Sequence, residues 1–185
     1  MSHAYSPRRA AQVAAYFAQC AGGRINVLKL AKLLYLAERE HLAKFDEPML
    51  YDRLVSMDHG PVTSMTLNYI SGYLESDDWS EFLTDRDNHE VAAAQPGLAV
   101  ERYDQLSKAD ITILDSLWKQ FGHMDRFELR DYTHDHCPEW EDPKGSSEPI
   151  PYERVLKYLG KKEFSSITED IGRWNAASRV LAECQ

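Results

Sequence analysis

The residues best equipped for chemistry lie between positions 134 and 139. His134-Asp135-His136-Cys137, with Glu139 close behind, sets two imidazoles, a thiol and carboxylates side by side. These are zinc-ligand types, and a structural zinc site closes with four of them while a catalytic one leaves a position open. A metal-dependent enzyme centred on His134, His136 and Cys137 is therefore one reading. Against it, no second Cys/His cluster with the paired spacing of a zinc module occurs in the chain. Residues 134, 136 and 137 at a helix end also need not converge. A thiol nucleophile at Cys137 needs a base within hydrogen-bond reach and a third group to orient that base. Adjacent residues rarely face each other that way. Asp58-His59 has acid and base in sequence, but its setting before Gly60-Pro61 reads as a turn, with Asp58 capping a helix opened by Pro61. No Ser-centred elbow, phosphate-cradling glycine loop or dinucleotide fingerprint is present. The expectation is no catalytic centre, no metal and no cofactor. His134 is expected to pack or hydrogen-bond at the end of its helix, with Trp140 filling the adjacent core.

The elements that position these residues are mostly helical. Ser6-Pro7 reads as an N-cap and first helical residue, and the helix it opens runs to about Cys20, where Gly22-Gly23 stops it. Asn26 caps a helix from Val27 to about Lys44. Its apolar residues, among them Leu30, Leu33, Leu34 and Tyr35, cover most of the circumference, as in a helix surrounded by others. A remaining polar stripe holds Lys29, Lys32, Arg39 and Glu40, with Leu36 as its odd member. Residues 49–57 alternate weakly enough for one or two short strands, and Val62 to about Leu74 reads as helix. Residues 75–101 are polar and read as a loop or small hairpin. Ser107 and Asp110 form a capping-box start for a helix through Trp118 and Phe121. Asp125 and Glu128 open the next, and Pro138 forbids its continuation. Tyr152 to Leu159 is a short helix closed by Gly160. Ser166 to Glu169 caps a last helix with Ile167, Ile171, Trp174 and Leu181 along one side. The fold expected is mainly α: one compact domain over residues 1–185, built around the buried Val27–Lys44 helix, with a short β element near 49–57.

Composition narrows the partners. At 185 residues and 43% hydrophobic content the chain can bury a real core. Charged residues interrupt every apolar stretch well before the ~18 needed to cross a bilayer. The N-terminus lacks the apolar run and small-residue cleavage site of a signal peptide. Cys20, Cys137 and Cys184 are few, distant and odd in number, which fits a reducing cytoplasm. The formal net charge is −9, and no dense basic run exists beyond Arg8-Arg9. Nucleic acids and anionic membranes bind through clustered Lys and Arg, so neither is an expected partner. A basic protein would be attracted.

Three segments in this order resemble the Panacea domain, the SocA-like antitoxin family: Lys29-Leu-Ala-Lys-Leu-Leu-Tyr-Leu-Ala37, His59-Gly-Pro-Val62, and Leu129-Arg-Asp-Tyr-Thr-His134 closed by Trp140. The resemblance covers about residues 6–160 and leaves the helix in 161–185 outside. Where the family usually carries an aromatic before Gly-Pro-Val, this chain has His59. The resemblance implies a mostly helical antitoxin that neutralises a cognate toxin by direct contact. A SocA-type member is instead a proteolytic adaptor that delivers its toxin to a cytoplasmic ATP-dependent protease, and phage-associated relatives exist. Leu30, Leu33, Leu34, Tyr35, Leu129, His134 and Trp140 are expected to hold the fold. Partner contact is expected on the polar stripe at Lys29, Lys32 and Leu36, on the turn His59, Gly60, Pro61 and Val62, and in segment 75–101, where Trp79 beside Asp77 and Asp78 is the surface aromatic.

Overall fold

A computed structural model describes residues 4–183, with side chains through residue 177. Among the described residues the helices are α1 (Pro7–Cys20), α2 (Val27–Phe45), α3 (Ser64–Ile70), α4 (Asp77–Ser80), α5 (Lys108–Phe121), α6 (Arg126–His136), α7 (Tyr152–Tyr158) and α8 (Phe164–Glu183). The strands are β1 (Arg24–Asn26), β2 (Leu54–Met57), β3 (Gly60–Thr63), β4 (Glu90–Ala92) and β5 (Glu148–Ile150). The chain is mainly α with two small antiparallel sheets, as the helical periodicity predicts.

Side-chain caps set most helix starts. Ser6 accepts from the Arg9 amide with Pro7 in the first turn, and Asn26 accepts from the Leu28 and Lys29 amides. Both Ser107/Asp110 and Asp125/Glu128 form complete capping boxes, each satisfying two amides that a helix start leaves without intrahelical partners. α2 touches α1, α5, α6, α7, β1 and β3. Leu30, Leu33, Leu34, Tyr35 and Ala37 are all at 0% exposure. Apolar residues around nearly its whole circumference are therefore covered, rather than one face alone.

Several expectations need correction. Pro61 does not open a helix; it sits in β3, opposite Ser56 of β2, and α3 begins only at Ser64. Asp58 caps nothing: its carboxylate accepts from the Gly145 amide, whereas Asp52 accepts from the Met65 and Thr66 amides at the start of α3. The sheet order is β3-β2-β5, so the prolines, Pro61 and Pro149, both lie on edge strands, where a missing amide proton costs no ladder bond. Segment 75–101 is not a lone loop. It contains α4 and β4, and β4 pairs with β1 in the register Ile25 to Val91. Within it a tight turn at Asp87–Glu90 supplies the small hairpin. α8 starts at Phe164, which places Ser166 inside the helix, where its hydroxyl bonds the Glu163 carbonyl. Ile171 is buried, Trp174 is exposed, and Leu181 and Cys184 lie outside the described side chains.

Candidate functional site

The three motif segments meet where α2 packs against both β3 and α6, and α6 in turn touches β3. The polar stripe of α2 is the seam of this junction. Lys29 Nζ donates to the carbonyls of Gly122 and Met124 at 2.7 Å each, tying the α5–α6 connection to α2. One turn on, Lys32 Nζ donates to the Pro61 carbonyl at 2.8 Å. Beyond it, Arg39 Nε and the Tyr35 hydroxyl both donate to Glu139 Oε1 at 2.7 Å. Glu139 is at 0% exposure, and its carbonyl also accepts from Arg154. Burial works against the Arg39 charge, and Glu139 more than offsets it. Burial and the Glu139 carboxylate push the Tyr35 hydroxyl well above its ordinary range. Leu36, the odd apolar member of the stripe, is simply buried at 6% exposure.

Gly60 fixes how closely the β2–β3 turn approaches. Its φ is +94°, a conformation that costs glycine little. A Cβ there would lie 2.9 Å from Thr133 Oγ1 and 3.1 Å from both His134 Nε2 and Lys32 Nζ. Three polar side-chain atoms of α2 and α6 thus crowd against one backbone carbon. His134 stacks flat on Trp140 with ring centroids 4.0 Å apart and planes 8° apart. Trp140 Nε1 reaches back to the Met57 carbonyl at 3.0 Å. His134 Nε2 is buried without a hydrogen-bond partner. Burial, helped by the Lys32 and Arg130 charges, lowers the affinity of the ring for a proton. Burial also lowers Lys32 to about 7, with the nearby Arg130 adding to the effect.

This geometry does not assemble a metal centre from His134, His136 and Cys137. The His134 ring lies on Trp140, the His136 ring lies on Tyr132 at 4.1 Å with Nδ1 against the Tyr132 carbonyl, and Cys137 is buried at 1% exposure. Among the described residues no group of three His, Cys, Asp or Glu is placed to hold a metal ion. Burial, with Glu139 adding to it, raises the Cys137 thiol to about 12, the opposite of what a thiolate nucleophile requires.

Burial also revises the expected contact residues. Lys32, Leu36, Gly60, Pro61 and Val62 are all buried at the junction. Trp79 is at 6% exposure and stacks on Tyr69 at 5.2 Å; α4 turns it inward while Asp77 and Asp78 face water. Among the residues of the α2 stripe and the β2–β3 turn expected to touch a partner, His59 is exposed and Lys29 is half-buried. Leu30, Leu33, Leu34 and Leu129 are at 0% exposure, in the core that the motif residues were expected to form. His134 and Trp140 are half-buried at its edge.

Next to His59 the surface opens into a cleft of about 660 Å³ between the start of α2, the β2–β3 turn, residues 86–89 and the start of α6. Met57 (37% exposed) and Phe127 (45% exposed) stand on its walls. Sequence reasoning missed Phe127, Arg126 and Arg86 here, because only the fold brings residues so far apart in the chain to one rim. It also left Glu139 as a mere neighbour of the His/Cys cluster, although the buried carboxylate joins α2 to the segment after α6. A larger groove of about 1200 Å³ runs past β2, β5 and α3 and shares only Met57, Val62 and Leu67 with the cleft.

Fold and junction together define a mainly helical domain whose motif residues are spent on holding a long buried helix to a β-turn and a second helix. The chain belongs to the antitoxin SocA-like, Panacea domain family, which matches residues 30–141. That span is narrower than the 6–160 suggested by the motifs but includes most of each one. No curated protein and no solved structure matches the chain. No helix among the described residues is long and apolar enough to cross a membrane.

Proposed function

We propose that this protein is a cytoplasmic antitoxin that neutralises a cognate protein toxin by stoichiometric binding, without catalysis and without a cofactor. Membership of the antitoxin family carries this reading. The junction supports it. Apart from His134 Nε2, its polar groups bond one another or backbone carbonyls, as in a frame that presents a surface rather than a centre that turns over substrate. The contact surface in this reading is the cleft flanked by His59, with Lys29 and the buried turn residues supporting it from behind. The net charge of −9 attracts a toxin that is basic overall and speeds encounter at low salt.

The test is co-expression with the toxin encoded beside it. Rescue of growth and co-purification of a complex are expected. The same rescue in a strain lacking the major cytoplasmic ATP-dependent proteases is the deciding arm. Rescue that persists there supports neutralisation by binding. Rescue that disappears while toxin accumulates means that the protein is a proteolytic adaptor. No rescue and no complex in any strain overturns the antitoxin reading.

A further inference from the structure

The cleft beside His59 has the opposite electrostatic character to the molecule that carries it. The chain as a whole bears −9, yet Arg86 and Arg126 stand exposed on the rim of this cleft. Asp58 is the one carboxylate among the lining residues, and it is bonded to the Gly145 amide. Three acidic residues that flank the rim in sequence have partners of their own. Asp87 and Glu90 face Arg24 at 4.0 and 3.7 Å, and Asp125 is turned into the cap of α6, where it accepts from the Phe127 and Glu128 amides. Among the described residues neither Arg86 nor Arg126 is in an ion pair. Arg86 bonds the ring of His89, and Arg126 lies over the Phe127 ring at 4.7 Å. Aromatic rings hold both guanidinium groups at the rim; Arg126 feels the charge of the neighbouring Asp125, but neither guanidinium is bonded to a carboxylate, so both keep donors for a ligand.

Part of the wall between these charges is apolar. Val27 and Leu28 come from the first turn of α2, Leu67 from α3, and Met57 and Phe127 stand partly in water. An apolar side chain laid against Met57 and Phe127 would have carboxylates on either side of it within reach of Arg86 and Arg126. From the charge complementarity the geometry points to a short acidic segment of the partner protein, in which a large apolar residue is flanked by Asp or Glu, as the occupant of this cleft. A phosphate ligand is disfavoured on the same observations. The first amides of α2 and α6 are already capped by Asn26 and Asp125, so no array of backbone donors remains to cradle phosphate. A polyanion would also meet the −9 of the surrounding surface, whereas a segment with two or three carboxylates meets mainly the local positive rim. A toxin can be basic overall and still carry such a segment. Its net charge governs the encounter, and the segment governs where it seats.

This inference rests on the antitoxin reading, since it names the part of the partner that the cleft takes. Its test does not need the toxin. The purified full-length chain is used to select from a random twelve-residue peptide library. The selected peptides are then measured on the wild type and on Arg86→Glu/Arg126→Glu, whose exposed positions leave the fold intact by thermal melting. The expected result is enrichment of Asp/Glu around a Leu, Ile or Phe. Affinity should fall about tenfold or more in the double variant and decline as salt rises. Enrichment of neutral or basic peptides, no enrichment, or acidic peptides that bind the double variant equally well overturns the inference. Binding of a single-stranded oligonucleotide or of pyrophosphate, lost in the same variant and competing with the peptides, assigns the cleft to phosphate and also overturns it. Failure of the wild type to rescue growth or form a complex with the neighbouring toxin counts against the antitoxin reading alone, so the two ideas fail separately.

Discussion

Lys32→Met is the most informative perturbation of the junction. Lys32 is at 0% exposure, bonds only the Pro61 carbonyl, and is lowered by burial from the ordinary lysine value of 10.5 to about 7. Between those two values the unfolded chain holds a proton that the folded chain has released. Stability therefore rises with pH across the window, by about 1.4 kcal/mol per pH unit, and is lost as pH falls from 10.5 towards 7. Below 7 both states are protonated and the full penalty stands, with an upper bound of about 5 kcal/mol over the whole window. Met retains the volume and removes the charge. It also removes one hydrogen bond, a pH-independent loss of about 1 kcal/mol. Cys137, raised to about 12, makes stability fall with pH above 9, and His134, lowered from 6.5, acts below that value. His41, raised from 6.5, acts inside the range but is present in both proteins, so the difference between their profiles over pH 7 to 9 reports Lys32. Urea unfolding of both proteins at pH 7, 8 and 9 should show the advantage of Lys32→Met shrinking by about 2–3 kcal/mol as pH rises. Parallel stability profiles would refute the reasoning, because they would mean that Lys32 keeps its charge in the folded state at no cost.

Two further substitutions probe the same junction. Gly60→Val places a Cβ 2.9 Å from Thr133 Oγ1 at a φ of +94°, so it should cost at least about 1–3 kcal/mol for the backbone alone and lower the melting temperature; an unchanged melting temperature together with unchanged toxin binding counts against it. Glu139→Leu leaves Arg39 and the Tyr35 hydroxyl without their shared acceptor, and a loss of about 3 kcal/mol is expected, at the low end for a broken buried pair because Arg39 keeps 22% of its side chain in water. A denaturation curve displaced by less than 1 kcal/mol shows instead that water replaces the carboxylate.

Local chemistry made much of the fold legible. The caps at Ser6, Asn26, Ser107 and Asp125 work through side chains two or three residues from their amides, so the start of each helix can be read from a few adjacent letters. The all-round apolar pattern of residues 27–44 pointed to a helix with several neighbours, and α2 buries residues 30–38 against six other elements. Gly60-Pro61 marked the turn, whose glycine takes a positive φ. Trp79 failed for a related reason. Asp77 and Asp78 beside it read as surface, but each step along a helix turns the side chain by about 100°, and the ring fell inward onto Tyr69.

Sequence alone was enough for the starts of α1, α2, α5 and α6, for the acidic charge and for the family of the three motif segments, because caps, charge and local patterns need no knowledge of distant residues; the starts of α3 and α8 escaped it. The tertiary structure alone decided what the polar stripe of α2 does. Lysines on a helix read as solvated whether they face water or a carbonyl, and only the approach of β3 and the α5–α6 connection showed that Lys29 and Lys32 end on backbone oxygens. It alone decided that His134, His136 and Cys137 diverge, since neighbours in sequence at a helix end point in different directions. It alone brought Arg86 and Arg126 to the same cleft, because charges 40 residues apart acquire a common field only once the chain between them has folded.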